Sequence, residues 1–179
     1  KRQAWRKQLR KDYLKDIEPL KSKNFNNLSK IFEIVEKKLP ENSLVTLDAG
    51  NNAAWPQRFL SYGRSRRQIA TTCGSMGYAI PAAVSSALLR PEKTVLCCVG
   101  DGGFMMSSQE ISTAVHYGAK IIILLINNSS YGTIRMHQER DYPGRKIATD
   151  LKNPDFVKLC KAIGAAAYRI TSLKEFSLI

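Results

Sequence analysis

Residues 94–103 read Thr94-Val95-Leu96-Cys97-Cys98-Val99-Gly100-Asp101-Gly102-Gly103, and residues 121–128 read Ile121-Ile122-Ile123-Leu124-Leu125-Ile126-Asn127-Asn128. Each stretch starts as an unbroken apolar run and ends in small or polar residues. A strand covered on both faces of a parallel sheet is continuously apolar rather than alternating, so both runs read as buried parallel strands. An acidic residue and an amide then lie just past the carboxyl ends of two strands, where open α/β sheets place their ligands. The side-chain oxygens of Asp101 and Asn128 are hard ligands suited to Mg²⁺, a cation held by few protein oxygens together with waters and substrate phosphates. Gly100, Gly102 and Gly103 let the backbone approach such a ligand closely. The segment Ser107–Tyr117 reads as a helix whose N-terminus can face an anion. These features together point to a metal-bridged diphosphate site.

Outward from this core the pattern is regular. Leu44–Asp48 and Ile69–Ala70 read as strands, Trp55–Leu60 as a short helix and Ser75–Leu89 as a small-residue helix. Arg64–Arg67 reads as a basic loop and 129–154 as a long loop. Asp155–Ile163 is an expected helix stopped by Gly164, Ala166–Ile170 an expected strand, and Ser172 an expected cap with Glu175 at the third position. Alternating strands and helices predict the α/β class, an open parallel sheet with helices on both faces.

The chain has 179 residues, 44% hydrophobic and 24% charged, which is ordinary for a globular domain. No apolar run has the length of a membrane span. The net charge is +13, and residues 1–38 carry twelve Lys/Arg against five Asp/Glu. That concentration reads as the solvated face of a docked helix, with Trp5, Leu9, Tyr13 and Ile17 as its apolar stripe, broken by Pro19 and Asn24–Asn27. A second helix presents Leu28, Ile31, Phe32, Val35 and Leu39, with Asn27 as N-cap. No nucleic-acid motif accompanies the charge, so neither nucleic acid nor membrane is expected as a partner. Cys73, Cys97, Cys98 and Cys160 form no Cys-x-x-Cys pair, and read as free thiols in a reduced, cytoplasmic compartment. His116 and His137 have no metal-ligand spacing around them.

Gly100-Asp101-Gly102 followed by Asn127-Asn128 resembles the signature of the thiamin diphosphate-dependent enzymes. Thr72-Cys73-Gly74-Ser75-Met76-Gly77-Tyr78-Ala79-Ile80-Pro81-Ala82-Ala83 is similar to another segment of that family. Asp48-Ala49-Gly50-Asn51-Asn52-Ala53-Ala54-Trp55 resembles its diphosphate-side loop. Tyr131-Gly132-Thr133-Ile134-Arg135 resembles the substrate-side segment of the acetolactate synthase and decarboxylase branch. The resemblance covers residues 27–179 and implies a pyrophosphate-binding C-terminal domain truncated at its end, with 1–26 as a basic helical linker or extension.

The same resemblance implies roles. Thiamin diphosphate and Mg²⁺ are the cofactors. Asp101 and Asn128 ligate the metal through side chains and Ser130 through its carbonyl. Gly50, Asn51, Asn52, Gly100, Gly102 and Gly103 approach the diphosphate. The Gly74 carbonyl accepts from the aminopyrimidine, Ser75 lies beside it, and Met76 wedges the cofactor into a V. Tyr131, Gly132 and Thr133 adjoin the cofactor, and Tyr131, Ile134 and His137 face the substrate, a 2-oxo acid or aldehyde. Blander readings stand beside these: Met76 as core, Asn51-Asn52 as a turn, Tyr131 and Ile134 as loop packing, His137 as surface.

The family's activating glutamate lies on a pyrimidine-binding domain, and Glu110 does not match it. The resemblance therefore implies that this domain comes from the same or a partner chain, in a homodimer or homotetramer, and that the chain alone is inactive. His137 and Thr133 stand where the acetohydroxyacid synthase branch has Trp and Met, and the Tyr-Gly-x-Ile-Arg wording is also similar to benzoylformate decarboxylases. The reading is acetolactate synthase-like carbon–carbon chemistry. The alternatives are a 2-oxoacid decarboxylase or aldehyde lyase domain, or a noncatalytic cofactor-binding module. A dinucleotide-binding domain is disfavoured, because no G-x-G-x-x-G follows a strand.

Overall fold

The computed structural model describes residues 2–21 and 27–178. Its elements run α1 (Arg2–Asp16), α2 (Leu28–Lys38), β1 (Leu44–Leu47), α3 (Asn51–Phe59), β2 (Arg67–Ala70), α4 (Ala79–Leu89), β3 (Val95–Gly100), α5 (Asp101–Ser107), α6 (Glu110–His116), β4 (Ile121–Ile126), α7 (Gly132–Asp141), α8 (Phe156–Ile163) and α9 (Leu173–Leu178). They form two compact units.

The larger unit, Leu39–Ala54 with Ser61–Arg169, contains the sheet. Its order is β2-β1-β3-β4 and every pairing is parallel. The two quoted apolar runs pair in register, Val95 with Ile121 through Gly100 with Ile126, so their polar ends emerge side by side. On one face Leu44, Val95, Cys97 and Val99 form a core with Ala79, Ile80, Ala83 and Val84 of α4 and with Ile111, Ala114 and Phe156. Phe104 and Phe156 meet edge to face at 5.2 Å, tying α5 to α8. Val45, Leu47, Leu96 and Cys98, on the opposite face, are buried too. Adjacent Cys97 and Cys98 thus point to opposite faces, as a strand requires.

Several elements differ from expectation. The helix after β3 starts at Asp101 itself, not at Ser107, and a short break separates α5 from α6. Two glycines, poor helix formers, disguise its first turn. α4 begins at Ala79, because Gly74 and Gly77 take positive φ of 72° and 82°, outside the helical region. Pro81 then falls in the first turn, where its missing N–H costs nothing. α3 begins four residues before Trp55, so the Asp48–Trp55 segment is largely helical. Residues 132–141 are α7 rather than loop; this helix buries no residue and shows no apolar stripe in sequence. Ala166–Ile170 forms no strand, because it finds no ladder partner among the described residues. β2 extends to Arg67 as an exposed edge strand. The neighbouring Arg66 is not solvated but buried, donating to the carbonyls of Ser61 (3.2 Å) and Leu39 (2.8 Å).

The smaller unit holds α1, α2, Trp55–Leu60 and α9. Asn27 caps α2, accepting from the Ser29 N–H at 3.2 Å while its own amide donates to the Leu20 carbonyl at 2.6 Å. Ser172 caps α9 by accepting from the Glu175 N–H at 3.1 Å, and Glu175 reaches back to the Thr171 N–H at 2.8 Å. α1 is not docked along its stripe: it buries no residue, and Trp5 is 64% exposed. It is held at its end, where Arg58 donates to the Asp16 carbonyl (2.7 Å) and meets its carboxylate (2.9 Å). The break expected at Asn24–Asn26, and the boundary at 26, lie outside the described residues.

Candidate functional site

Everything proposed for the site from sequence lies in the larger unit, in the segments that follow the carboxyl ends of β1, β2, β3 and β4. Asp101 is the first residue of α5, follows Gly100 directly and is only 2% exposed. Its Oδ2 accepts from the Asn153 Nδ2 at 2.6 Å, and the same nitrogen donates to the Asn127 Oδ1 at 3.0 Å. The Asn127 oxygen also accepts from the Ser129 N–H at 3.0 Å, and Asn128 Oδ1 from the Ser130 N–H at 3.1 Å. Ser129 takes φ of 53°, uncommon for a residue with a side chain. That turn sends the chain back against residues 149–151. Ser130 Oγ and the Tyr131 N–H both donate to the Thr149 carbonyl, at 3.0 and 2.8 Å, and the Leu151 N–H donates to the Ser129 carbonyl at 2.9 Å.

The glycines divide by what surrounds them. A Cβ on Gly103 would lie 2.1 Å from Asp48 Oδ2, and one on Gly102 would lie 2.7 Å from the Tyr131 ring and 3.2 Å from the Met76 methyl. Those two positions are glycine because neighbouring side chains occupy the space. A Cβ on Gly74, by contrast, meets nothing within 4 Å, so that loop borders open space. Gly50 takes φ of 119°, and the Asn51 N–H after it donates to Thr133 Oγ1 at 2.9 Å, joining the β1 and β4 loops. With its amide oriented to suit both neighbours, Asn52 accepts from the Gly100 N–H at 3.3 Å and donates to the Ala49 carbonyl at 3.2 Å. Met76 and Tyr131 are brought together over Gly102. Ile134 is 50% exposed and His137 is exposed, both on α7 away from that contact.

Three participants were not picked out from sequence as site residues. Asn127 and Asn153 join Asp101 to the β4 loop. Asp48, at the end of β1, is 2% exposed; its Oδ1 accepts from the Ala49 N–H at 2.7 Å and its Oδ2 from the Gly77 N–H at 3.0 Å. Burial raises its pKa above the ordinary carboxylate value, and those N–H bonds oppose the rise. The available signal for Asp48 was the one used for Asp101: an acid directly after an apolar strand. Cys73, exposed beside Gly74, sits 3.1 Å from Ser75 Oγ and 3.4 Å from Thr71 Oγ1, and these hydroxyls lower its pKa to about 7.

Among the described residues no three His, Cys, Asp or Glu side chains gather as a metal-binding group. One buried carboxylate with neutral amide and carbonyl oxygens is too weak a set for zinc, but it suits Mg²⁺ that shares its shell with a diphosphate. The open loop at Gly74 and the glycine-lined first turn of α5 fit such a ligand.

Site and fold thus define a thiamin diphosphate-binding domain. The model of the thiamine pyrophosphate enzyme C-terminal TPP-binding domain matches residues 48–178, and the chain belongs to that family. It is 33% identical over 163 residues to a probable acetolactate synthase large subunit of Methanocaldococcus jannaschii, covering 89% of this chain and 27% of that protein. It is 38% identical over 148 residues to an acetolactate synthase of Mycobacterium leprae, covering 79% of this chain and 23% of that one. The chain therefore spans about a quarter of the length of these relatives. In structure it is similar to a thiamine diphosphate-dependent 4-hydroxybenzoylformate decarboxylase of Rhodococcus jostii, with a TM-score of 0.82 at 20% identity over 90% of this chain and 31% of that one. That likeness establishes the fold. No helix among the described residues is long and apolar enough to cross a membrane.

Proposed function

We propose that the chain is the diphosphate- and Mg²⁺-binding domain of an acetolactate synthase-like enzyme that makes or breaks carbon–carbon bonds at 2-oxo acids. The observation that carries this reading is the buried Asp101 carboxylate, linked through Asn153 to the Asn127–Asn128 loop. Thiamin diphosphate, when bound, supplies a nucleophilic carbon and an electron sink.

The chain's own residues place and shield it. Asp101 brings the one formal charge to the cation. Asn128 adds an amide oxygen and Ser130 its carbonyl, which accepts from the Gly132 N–H at 2.8 Å and keeps a second lone pair. Gly102 and Gly103, in the first turn of α5, would offer backbone N–H groups to the diphosphate; Gly100, whose own N–H is held by Asn52, would let the backbone come close, with Gly50, Asn51 and Asn52 facing them. The Gly74 carbonyl would accept from the aminopyrimidine, beside Ser75. Met76, backed by Tyr131, would support the bound cofactor; Gly132 and Thr133 would hold the loop. Ile134 and His137 border the substrate. Met105, Met106, Ile134 and Met136 are each roughly half exposed, which supports a pyrimidine-binding domain closing over this end from the same or a partner chain, as a homodimer or homotetramer. Four free thiols support a reduced, cytoplasmic location.

His137 and Thr133, in place of the branch's Trp and Met, favour a second reading, a 2-oxoacid decarboxylase. Calorimetric titration of thiamin diphosphate into the complete protein, with and without Mg²⁺, tests the cofactor site: Mg²⁺-dependent binding is expected, and absent or Mg²⁺-independent binding overturns it. Products formed from pyruvate then separate the chemistries, acetolactate for the synthase and free aldehyde for the decarboxylase.

A further inference from the structure

One side-chain amide joins the two halves of the proposed metal set. Asn153 Nδ2 has two hydrogens, and the two acceptors it reaches are Asp101 Oδ2 at 2.6 Å and Asn127 Oδ1 at 3.0 Å. These belong to different strand ends, β3 and β4. Asn127 Oδ1 is also the acceptor that closes the turn carrying Asn128 and Ser130. Among the described residues the other Asp101 oxygen, Oδ1, accepts no hydrogen bond.

Asn153 is itself held from both sides. Two residues before it, the Leu151 N–H donates to the Ser129 carbonyl at 2.9 Å. Two residues after it, Asp155 caps α8 by accepting from Val157 and Lys158 at 3.0 and 3.2 Å. The first residue of that helix, Phe156, packs on Phe104 of α5, the helix that Asp101 begins. The amide therefore spans a short segment anchored to both of the elements it bridges. A site held in this way loses little freedom when it binds.

We infer that Asn153 is the positioning residue of the Mg²⁺ site. It occupies Asp101 Oδ2, leaves Oδ1 for the cation, and sets the separation between Asp101 and the loop bearing Asn128 and Ser130. The inference rests on the metal role proposed for Asp101. The residue type is the informative part. A Lys or Arg in its place would orient the carboxylate but offset the charge that attracts the cation. A neutral amide orients it and leaves that charge intact, as outer-shell partners of metal ligands do.

The test is a MgCl₂ titration of the complete protein at fixed thiamin diphosphate, read by calorimetry and by melting temperature. The variants are Asn153→Leu, similar in size without a donor, and Asn153→Ala. The Mg²⁺ concentration for half-saturation is expected to rise about 10- to 100-fold in both. Saturating Mg²⁺ should restore cofactor affinity to near wild type, and melting without Mg²⁺ should change little. An unchanged Mg²⁺ requirement overturns the inference. So does a loss of cofactor affinity that Mg²⁺ cannot restore, since that marks a merely structural role. Wild-type protein that shows no Mg²⁺-dependent binding overturns the site itself, an outcome read before either variant is made.

Discussion

The two strand-to-helix junctions at the ligand end differ in how they are held. At β3–α5 the strand is buried almost throughout and runs straight into the helix, whose Asp101, Gly102, Gly103 and Phe104 are buried as well. At β4–α7 the strand is only half covered, the helix buries nothing, and a five-residue turn with a left-handed Ser129 separates them. Both junctions carry a proposed metal ligand. One is fixed chiefly by packing, the other chiefly by hydrogen bonds, with Tyr131 against Gly102 as its packing contact. A rigid half and an adjustable half would let the proposed charged ligand be preset while the proposed neutral ones adjust to the cation.

The largest effect should come from the charge on the rigid side. Asp101→Ala is expected to abolish Mg²⁺-dependent thiamin diphosphate binding in the complete protein, with the far-ultraviolet circular dichroism spectrum kept. Undiminished affinity by calorimetry would remove Asp101 from the metal site and leave the two junctions equivalent.

A paired substitution sharpens the contrast in stability. Gly103→Ala puts a Cβ 2.1 Å from Asp48 Oδ2 in a buried contact, whereas Gly132→Ala puts one 2.8 Å from Asn128 Nδ2, the end of an exposed side chain. Overpacking a buried site costs about 1–3 kcal/mol and sometimes more. The expected losses are about 3 kcal/mol for Gly103→Ala and under about 1 kcal/mol for Gly132→Ala. Denaturant unfolding of both variants checks this. Equal losses would mean that the β4 junction is as tightly packed as the other.

The same difference governed what sequence could reveal. β3 was legible because burial on both faces leaves a continuous apolar run. β4 carries such a run too, yet it lies at the sheet edge, only half covered and with Ile122 55% exposed. The expectation of a fully buried strand holds for β3 and not for β4. The ligand end followed from the polar residues that stop those runs. α7 was not legible, since its residues Gly132–Asp141 face solvent and carry no periodic apolar signal. α5 was hidden by two glycines whose absent side chains serve Asp48, Tyr131 and Met76 rather than loop formation. Asn153 precedes a proline and a capping aspartate, so it read as loop; its bonds to Asp101 and Asn127 span 52 and 26 residues. Arg66 read as part of a basic loop, and its carbonyl partners are backbone atoms that no side-chain pattern announces.

A chemical probe extends the comparison to the thiols. Cys73 is exposed with its pKa lowered to about 7 by neighbouring hydroxyls, while burial pushes Cys97 up to about 12 and Cys98 higher. The thiolate is the reactive form. Iodoacetamide at neutral pH should therefore modify Cys73 first, and Cys97 and Cys98 only on unfolding, as mapped by peptide mass analysis. Ser75→Ala should slow the Cys73 reaction severalfold. Equal labelling of all three native thiols would mean that the β3 junction opens readily.

The smallest effect concerns Asp48, the carboxylate that packs against the rigid junction. Its pKa is raised in the folded chain above the reference value of 3.8, chiefly by burial. The folded state then binds more protons than the unfolded state between those two values. Stability falls with rising pH wherever the native state holds the extra proton. Asp48 therefore costs nothing below 3.8 and contributes its full penalty only once pH has passed its raised value. Asp48→Asn removes the titration, and its amide, like the protonated carboxyl, has one oxygen acceptor and one donor end, so the two proteins start close in stability at low pH. The stability of the wild type relative to Asp48→Asn should fall as pH climbs from below 3.8 toward neutrality, then level off. Melting temperatures of the two proteins across that range give the difference directly, and other titrating groups common to both cancel. A wild-type advantage that grows with pH would mean that the Ala49 and Gly77 N–H bonds outweigh burial. Asp48 would then hold the rigid junction together as a charged group.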